Sequence, residues 1–181
     1  MHGREIVLGV TGGIAAYKSA ALASQLVQAG AGLTAVLTAA AEEFVGRATF
    51  EALTGRRVLS HVFDEPDHPL GAHIELADKA ELLVVAPATA NFMAKAAQGL
   101  ADDLLSTLYL SFTHAVLLAP AMNCEMWEKP AVQRNVQQLR ADGVHFVDPE
   151  EGWLSCRKRG VGRMAAPDAI LAAIDRLLNP R

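Results

Sequence analysis

Short, wholly apolar runs alternate along this chain with longer segments of helical period. Ile6–Val10, Leu33–Leu37, Leu82–Ala86 ("LLVVA"), Val116–Ala119 ("VLLA") and Val144–Val147 are rich in Val, Leu and Ile and too short for buried helices, so each reads as a strand covered on both faces. Between them lie helical patterns at Ala15–Ala29, stopped by Gly30, at "AAAEEFVG" from Ala39, at Asn91–Tyr109 with a break near Gly99, at Ala131–Ala141 and at Pro167–Leu178. Pro167 suits a first helical turn. Strand and helix in alternation predict one α/β domain spanning residues 1–181, a doubly wound, Rossmann-like (flavodoxin-like) parallel sheet with helices on both faces. Two stretches escape the pattern, Ser60–Ala72 and Asp148–Ala166. The second is longer than a compact domain tolerates idly and is expected to be functional.

Composition narrows the class. Apolar residues make up 51% of the 181 positions, enough for a full core. A net charge of -4 offers no basic field for nucleic acid. The two cysteines, Cys124 and Cys156, form no disulfide framework, and no apolar run reaches membrane-spanning length; with no signal-peptide core at the start, the expected location is the cytoplasm. Nothing suggests a metal site.

The loop after the first strand, "GVTGGIAAYKS" (Gly9–Ser19), resembles a phosphate loop but follows neither common rule. Lys18 and Ser19 stand in Walker register from Gly12, yet Tyr17 replaces the second glycine; the G-x-G-x-x-G dinucleotide spacing is absent. Ligands of open α/β sheets bind beyond the carboxyl ends of the strands, where "TGGIA", "TAAA", "PATAN" and "PAMN" would converge. Their small residues admit a flat ligand, and the amides of Gly13–Ala15 at a helix start suit a single phosphate. The expected ligand is therefore mononucleotide-like. Taken singly, the glycines fit an ordinary turn, Thr38 and Thr107 fit helix caps, and Asn123 fits a turn cap.

Together with "HIELADKAELLVVAPATANFMAKAAQGLADDLLST", "PAMNCEMW" and "SCRKRGVGRM", these loops resemble the homo-oligomeric flavin-containing cysteine decarboxylases over nearly the whole chain. The resemblance is strongest to the branch acting in coenzyme A biosynthesis. It implies FMN-dependent decarboxylation of 4'-phospho-N-pantothenoylcysteine to 4'-phosphopantetheine, a carboxy-lyase reaction without net redox change. It also implies a trimer, or trimers assembled into a dodecamer, with the active site at a subunit boundary. A phosphopantothenoylcysteine synthetase is the implied partner, fused or separate. FMN is expected to meet Gly13, Ile14, Ala15, Thr38, Ala88, Thr89, Asn91, Thr107 and Met122.

Three positions match the family's catalytic set. His73 opens an apparent helix, whose positive end disfavours an imidazolium and so suits a neutral base. Asn123 would orient the substrate carboxylate without the full charge that opposes its loss as CO2. Cys156 would protonate the enethiol intermediate, and cations beside it favour thiolate chemistry. The loop near 148–166 would clamp substrate, with Met126, Arg157, Lys158, Gly160, Gly162 and Arg163 joining Asn123 in binding it. Two departures from the pattern stand out: Arg157 follows the cysteine where many relatives carry glycine, and Ala77–Lys79 holds no arginine where plant-like relatives have one. His2, His61, His68, His114 and His145 lack such context, and Cys124 reads as a small buried residue. The alternatives are a peptidyl-cysteine decarboxylase of lantibiotic maturation, which lacks the reducing cysteine, a flavin prenyltransferase, and a non-catalytic flavin-binding regulatory subunit.

Overall fold

A computed structural model describes residues 1–63 and 70–180 of the chain. His68 and the middle of the irregular Ser60–Ala72 stretch lie outside the described residues. Five strands form the main sheet: β1 (Glu5–Val10), β2 (Gly32–Leu37), β3 (Leu82–Ala88), β4 (Ala115–Pro120) and β5 (His145–Phe146). Their order is β2-β1-β3-β4-β5 and every pairing is parallel. This is the doubly wound order expected. The strand order reverses between β1 and β3, which opens a crevice at their carboxyl ends.

Alternation along β1 explains the two layers. Successive strand side chains point to opposite faces. Ile6, Leu8 and Val10 join one core, while Val7 joins the other. The first core is closed by α1 (Ala16–Gln28), α3 (Arg47–Thr54) and α9 (Pro167–Leu178), through Leu22, Leu26, Phe50, Ile170 and Ile174. The second is closed by α4 (Ala72–Lys79), α5 (Ala90–Gln98), α6 (Leu104–Ser111) and α8 (Pro130–Ala141), through Leu76, Phe92, Met93, Leu105 and Leu139. Two single-turn helices, α2 (Ala39–Glu42) and α7 (Cys124–Trp127), follow β2 and β4.

The break expected near Gly99 within Asn91–Tyr109 divides two helices, α5 and α6. Gly99 caps α5 in the left-handed conformation (φ 69°), and Asp103 restarts the chain as α6 with a capping box: its carboxylate accepts from Ser106 N–H, and the Ser106 hydroxyl accepts from the Asp103 N–H. The helix expected from Ala39 stops after one turn, and α3 forms separately beyond Gly46. The larger correction concerns Asp148–Ala166. It is not irregular but holds an antiparallel hairpin, β6 (Glu150–Trp153) with β7 (Arg159–Arg163), outside the main sheet. No described helix is long and apolar enough to cross a membrane.

Candidate active site

The crevice at the β1/β3 switch is a cavity of about 700 Å³. That lies within the usual range for small-molecule sites. Its walls come from the loops after β1, β2, β3 and β4 and from the hairpin. Of the sequence-predicted residues, Gly13, Ile14, Ala15, Thr38, Thr89, Asn91, Met122, Asn123, Met126, Cys156, Gly162 and Arg163 line it.

Local bonding fixes these loops. Thr11, buried, donates its hydroxyl to the Pro87 carbonyl (2.6 Å) and accepts from the Thr89 N–H (3.1 Å), tying the first loop to the third. Ser19, buried in α1, ties that helix to β3 by donating to the Ala86 carbonyl (2.5 Å). Gly12 is obligatory: a Cβ there would stand 2.4 Å from the Ala40 Cβ and 2.8 Å from its carbonyl carbon. Gly13, in contrast, has open space, its nearest neighbour being the Thr89 methyl at 3.8 Å. Among the described residues nothing accepts from the N–H groups of Gly13, Ile14 and Ala15, which precede the thirteen-residue α1. Unpaired amides at a helix start form an anion cradle. A ligand carrying a phosphate and a flat ring fits this arrangement: amides for the phosphate, small residues for the ring.

Ala88 and Thr107 do not reach the lining. Ala88 is fully buried inside β3, and Thr107 spends its hydroxyl on the Asp103 carbonyl (2.8 Å) within α6. Thr38 and Thr89 line the cavity while also capping α2 and α5, accepting from Ala41 N–H and Phe92 N–H (3.3 Å each). Asn123 likewise caps α7, its Oδ1 accepting from Glu125 N–H (2.7 Å), which leaves the amide NH2 without a partner among the described residues. That group can donate to a carboxylate. Cys124 is only half-buried and packs against Gly160, where a Cβ would lie 2.8 Å from the Cys124 Cβ.

Cys156 is exposed at the hairpin tip and reaches the cavity wall, whereas Arg157, Lys158 and Gly160 do not. The hairpin's cations are largely neutralised. Lys158 pairs with Glu125, Arg159 with Glu151 (3.4 Å) and Arg163 with Glu150 (2.8 Å).

His73 stands apart from the cavity. It is the second residue of α4, not the first, and is half-buried; its ring lies over Gly71 (φ 98°), and its buried Nδ1 has no partner among the described residues. The exposed apolar residues Leu70 (73%), Ile74 (43%) and, on neighbouring α6, Leu110 (50%) share its surroundings in sequence or packing. Sequence reasoning missed Lys18, Lys95 and Asp103 as lining residues. Burial pushes the Lys18 ammonium below its ordinary value, Arg163 adds to this and Glu150 opposes it; Lys18 donates to the Met164 carbonyl (2.9 Å) at the hairpin's exit. Lys95 bridges Asp102 (2.5 Å) and Asp103 (2.7 Å), whose carboxylates hold it charged despite burial. The Walker-like register of Lys18 and the D-x-x-S box at Asp103 were the available signals.

An open parallel sheet with an amide cradle and a ring-sized crevice at its switch point defines a mononucleotide-binding protein of the flavodoxin-like class. The chain belongs to the Flavoprotein family, whose model matches residues 1–179. It is 46% identical over 171 residues to the coenzyme A biosynthesis bifunctional protein CoaBC of Bacillus subtilis, covering 94% of this chain but 42% of that protein, so it spans less than half the length of that relative. Among solved structures it is similar to the FMN-dependent cysteine decarboxylase SpaF (TM-score 0.83, 36% identity, 98% of each chain). It is also similar to a PPC decarboxylase mutant complexed with pantothenoylaminoethenethiol (TM-score 0.86, 28% identity, 95% of this chain and 96% of that one).

Proposed function

We propose that this chain is an FMN-dependent cysteine decarboxylase that converts 4'-phospho-N-pantothenoylcysteine to 4'-phosphopantetheine. The observation that carries the reading is the convergence of Gly13–Ala15, Thr89–Asn91, Met122–Asn123 and Cys156 on one cavity. The likeness to CoaBC and to the two decarboxylase structures supports it. A carbanion left by CO2 loss from a cysteine has no sink of its own. FMN held in the crevice would act as a reversible hydride acceptor for the thiol-bearing carbon, supplying the electron sink that decarboxylation needs with no net redox change.

The protein's share is positioning. The amides of Gly13–Ala15 hold the cofactor phosphate, and Thr38, Thr89, Asn91 and Met122 line its ribityl chain and ring. The free amide of Asn123 orients the substrate carboxylate. Cys156 holds the proton delivered to the enethiol, and Met126, Gly162 and Arg163 close the substrate side. His73 acts as the base in the oxidative half. Because it lies away from the cavity of its own chain, it serves the cavity of a neighbouring copy. The protein is therefore a homo-oligomer, a trimer or dodecamer, in the cytoplasm, and the 1–181 flavoprotein domain works with a phosphopantothenoylcysteine synthetase, fused or separate.

The test is direct. Purified protein is expected to be yellow, to release FMN on denaturation, and to evolve CO2 from the phosphorylated substrate. A protein that stays colourless after FMN reconstitution, or that decarboxylates only peptides ending in cysteine, overturns the reading.

A further inference from the structure

The hairpin tip carries an expense that its own fold does not require. Arg157 adopts φ 62°, and among the described residues no other non-glycine residue has positive φ. A side chain in this left-handed conformation is disfavoured, which is why glycine is the usual occupant. The turn demands the conformation: Arg157 N–H donates to the Leu154 carbonyl (2.9 Å) and Leu154 N–H to the Lys158 carbonyl (2.8 Å), closing the loop that presents Cys156. Glycine here would relieve the strain without losing a side-chain hydrogen bond or ion pair among the described residues. An outlier held against strain beside a functional group is a reason to look for what its side chain does.

The charge inventory supplies a second, independent observation. The other cations of this hairpin are committed to carboxylates, Lys158 to Glu125, Arg159 to Glu151 and Arg163 to Glu150, whereas the Arg157 guanidinium has no partner among the described residues. It is exposed, and it lies outside the cavity lining to which its neighbour Cys156 belongs. The tip thus turns a thiol toward the crevice wall and keeps an uncommitted guanidinium at its rim.

From this pairing we infer that Arg157 is the specificity residue of the clamp, donating to an anionic phosphate at the end of the substrate remote from the reacting cysteine. This rests on the function proposed above. There, the cysteine end enters the crevice and the phosphate, a full pantothenoyl chain away, is left at the rim. A guanidinium is the group that fits phosphate oxygens with paired donors. The other three cations of the hairpin each already face a carboxylate that offsets their charge. Sequence alone suggested a shared basic cluster; the ion pairs assign the discrimination to one residue.

The experiment compares kcat/KM for 4'-phospho-N-pantothenoylcysteine and for N-pantothenoylcysteine, which differ in the phosphate and share the carboxylate. The holoenzyme, Arg157→Gly and Arg157→Lys are assayed after the flavin content of each is matched. Glycine fits the turn, so a loss in that variant does not come from strain. The ratio of phosphorylated to unphosphorylated kcat/KM is expected to fall roughly 10- to 100-fold in Arg157→Gly, the range for losing hydrogen bonds to a charged group, and to recover in part in Arg157→Lys. An unchanged ratio in an active Arg157→Gly enzyme overturns the inference and leaves the decarboxylase reading standing; so does an equal loss on both substrates, which would assign Arg157 to the shared cysteine end. Failure of the wild type to turn over either substrate removes both readings.

Discussion

The Met122 N–H donates to the Gly162 carbonyl at 2.9 Å, so the hairpin carrying Cys156 is stitched by backbone to the loop carrying Asn123. The approach is so close that a Cβ on Gly162 would lie 2.2 Å from the Met122 carbonyl oxygen. Gly160 seats on Cys124 in the same way, and Lys158 pairs with Glu125 beside them. Two proposed catalytic groups from distant parts of the chain are thereby held on one framework.

Gly162→Ala cannot keep this seat. The hairpin must lift, displacing Cys156 relative to Asn123, while the amide cradle at Gly13–Ala15 is untouched. Decarboxylation is expected to fall on the order of 100-fold, the scale associated with ångström misplacement of a catalytic group, with flavin still bound. Steady-state rates and the flavin spectrum of the variant check this. Unchanged turnover would show that the stitch is dispensable.

His73 and Asn123 are expected to act on one substrate from different copies of the chain. His73→Asn and Asn123→Ala should each abolish CO2 release while retaining flavin. Unfolding and refolding the two together should restore roughly a quarter of wild-type sites, since a site then inherits both intact residues only by independent assortment. Mixed samples that stay inactive, with subunit exchange confirmed by mass, would place both residues in one chain's site.

Cys156→Ser is expected to separate the two halves of the reaction. One CO2 should be released per flavin, with further release only where dioxygen reoxidises the reduced flavin, and the product should be two hydrogens lighter than 4'-phosphopantetheine, an enethiol. Mass spectrometry of the product decides; the fully reduced thiol at normal yield would remove Cys156 from proton delivery.

Asp103 gives a pH signature. Burial alone would raise its pKa, but the Lys95 ion pair and the Ser106 N–H and hydroxyl outweigh it and hold the carboxyl below its usual value. A depressed folded-state pKa contributes stability that is present above the unfolded value of about 3.9 and is lost as pH falls through the lower folded value. The stability gap between wild type and Asp103→Asn should therefore narrow below about pH 4, read by chemical denaturation. Asp103→Ala, which also removes the α6 cap, is expected to cost about 1 kcal/mol near neutral pH. A gap that does not change with pH would show that the charge is irrelevant.

The strands were legible because burial on both faces leaves nothing polar in them. Leu82–Ala86 and Val116–Ala119 are as apolar in sequence as they are enclosed in the fold. The helix ends were legible where glycine marks them, as at Gly30 and Gly99. The hairpin was not. Its strands read E-E-G-W and R-G-V-G-R, in which glycines chosen for close approach to Met122 and Cys124 imitate loop glycines and charges paired across the ladder imitate a solvated face. The crevice was anticipated from its loops, but Thr38 and Asn123 proved to be caps as well as lining, so the two readings of each residue were never exclusive. No local pattern announces that His73 sits away from the cavity, because that follows from how α4 and α6 pack.

A redox-neutral decarboxylation leaves one diagnostic stoichiometry. Holoprotein and 4'-phospho-N-pantothenoylcysteine are mixed anaerobically with no pyridine nucleotide or other reductant, and CO2 and 4'-phosphopantetheine are counted over many turnovers. The expected result is one of each per substrate consumed. CO2 with only oxidised product, or no turnover until a reductant is added, would contradict it.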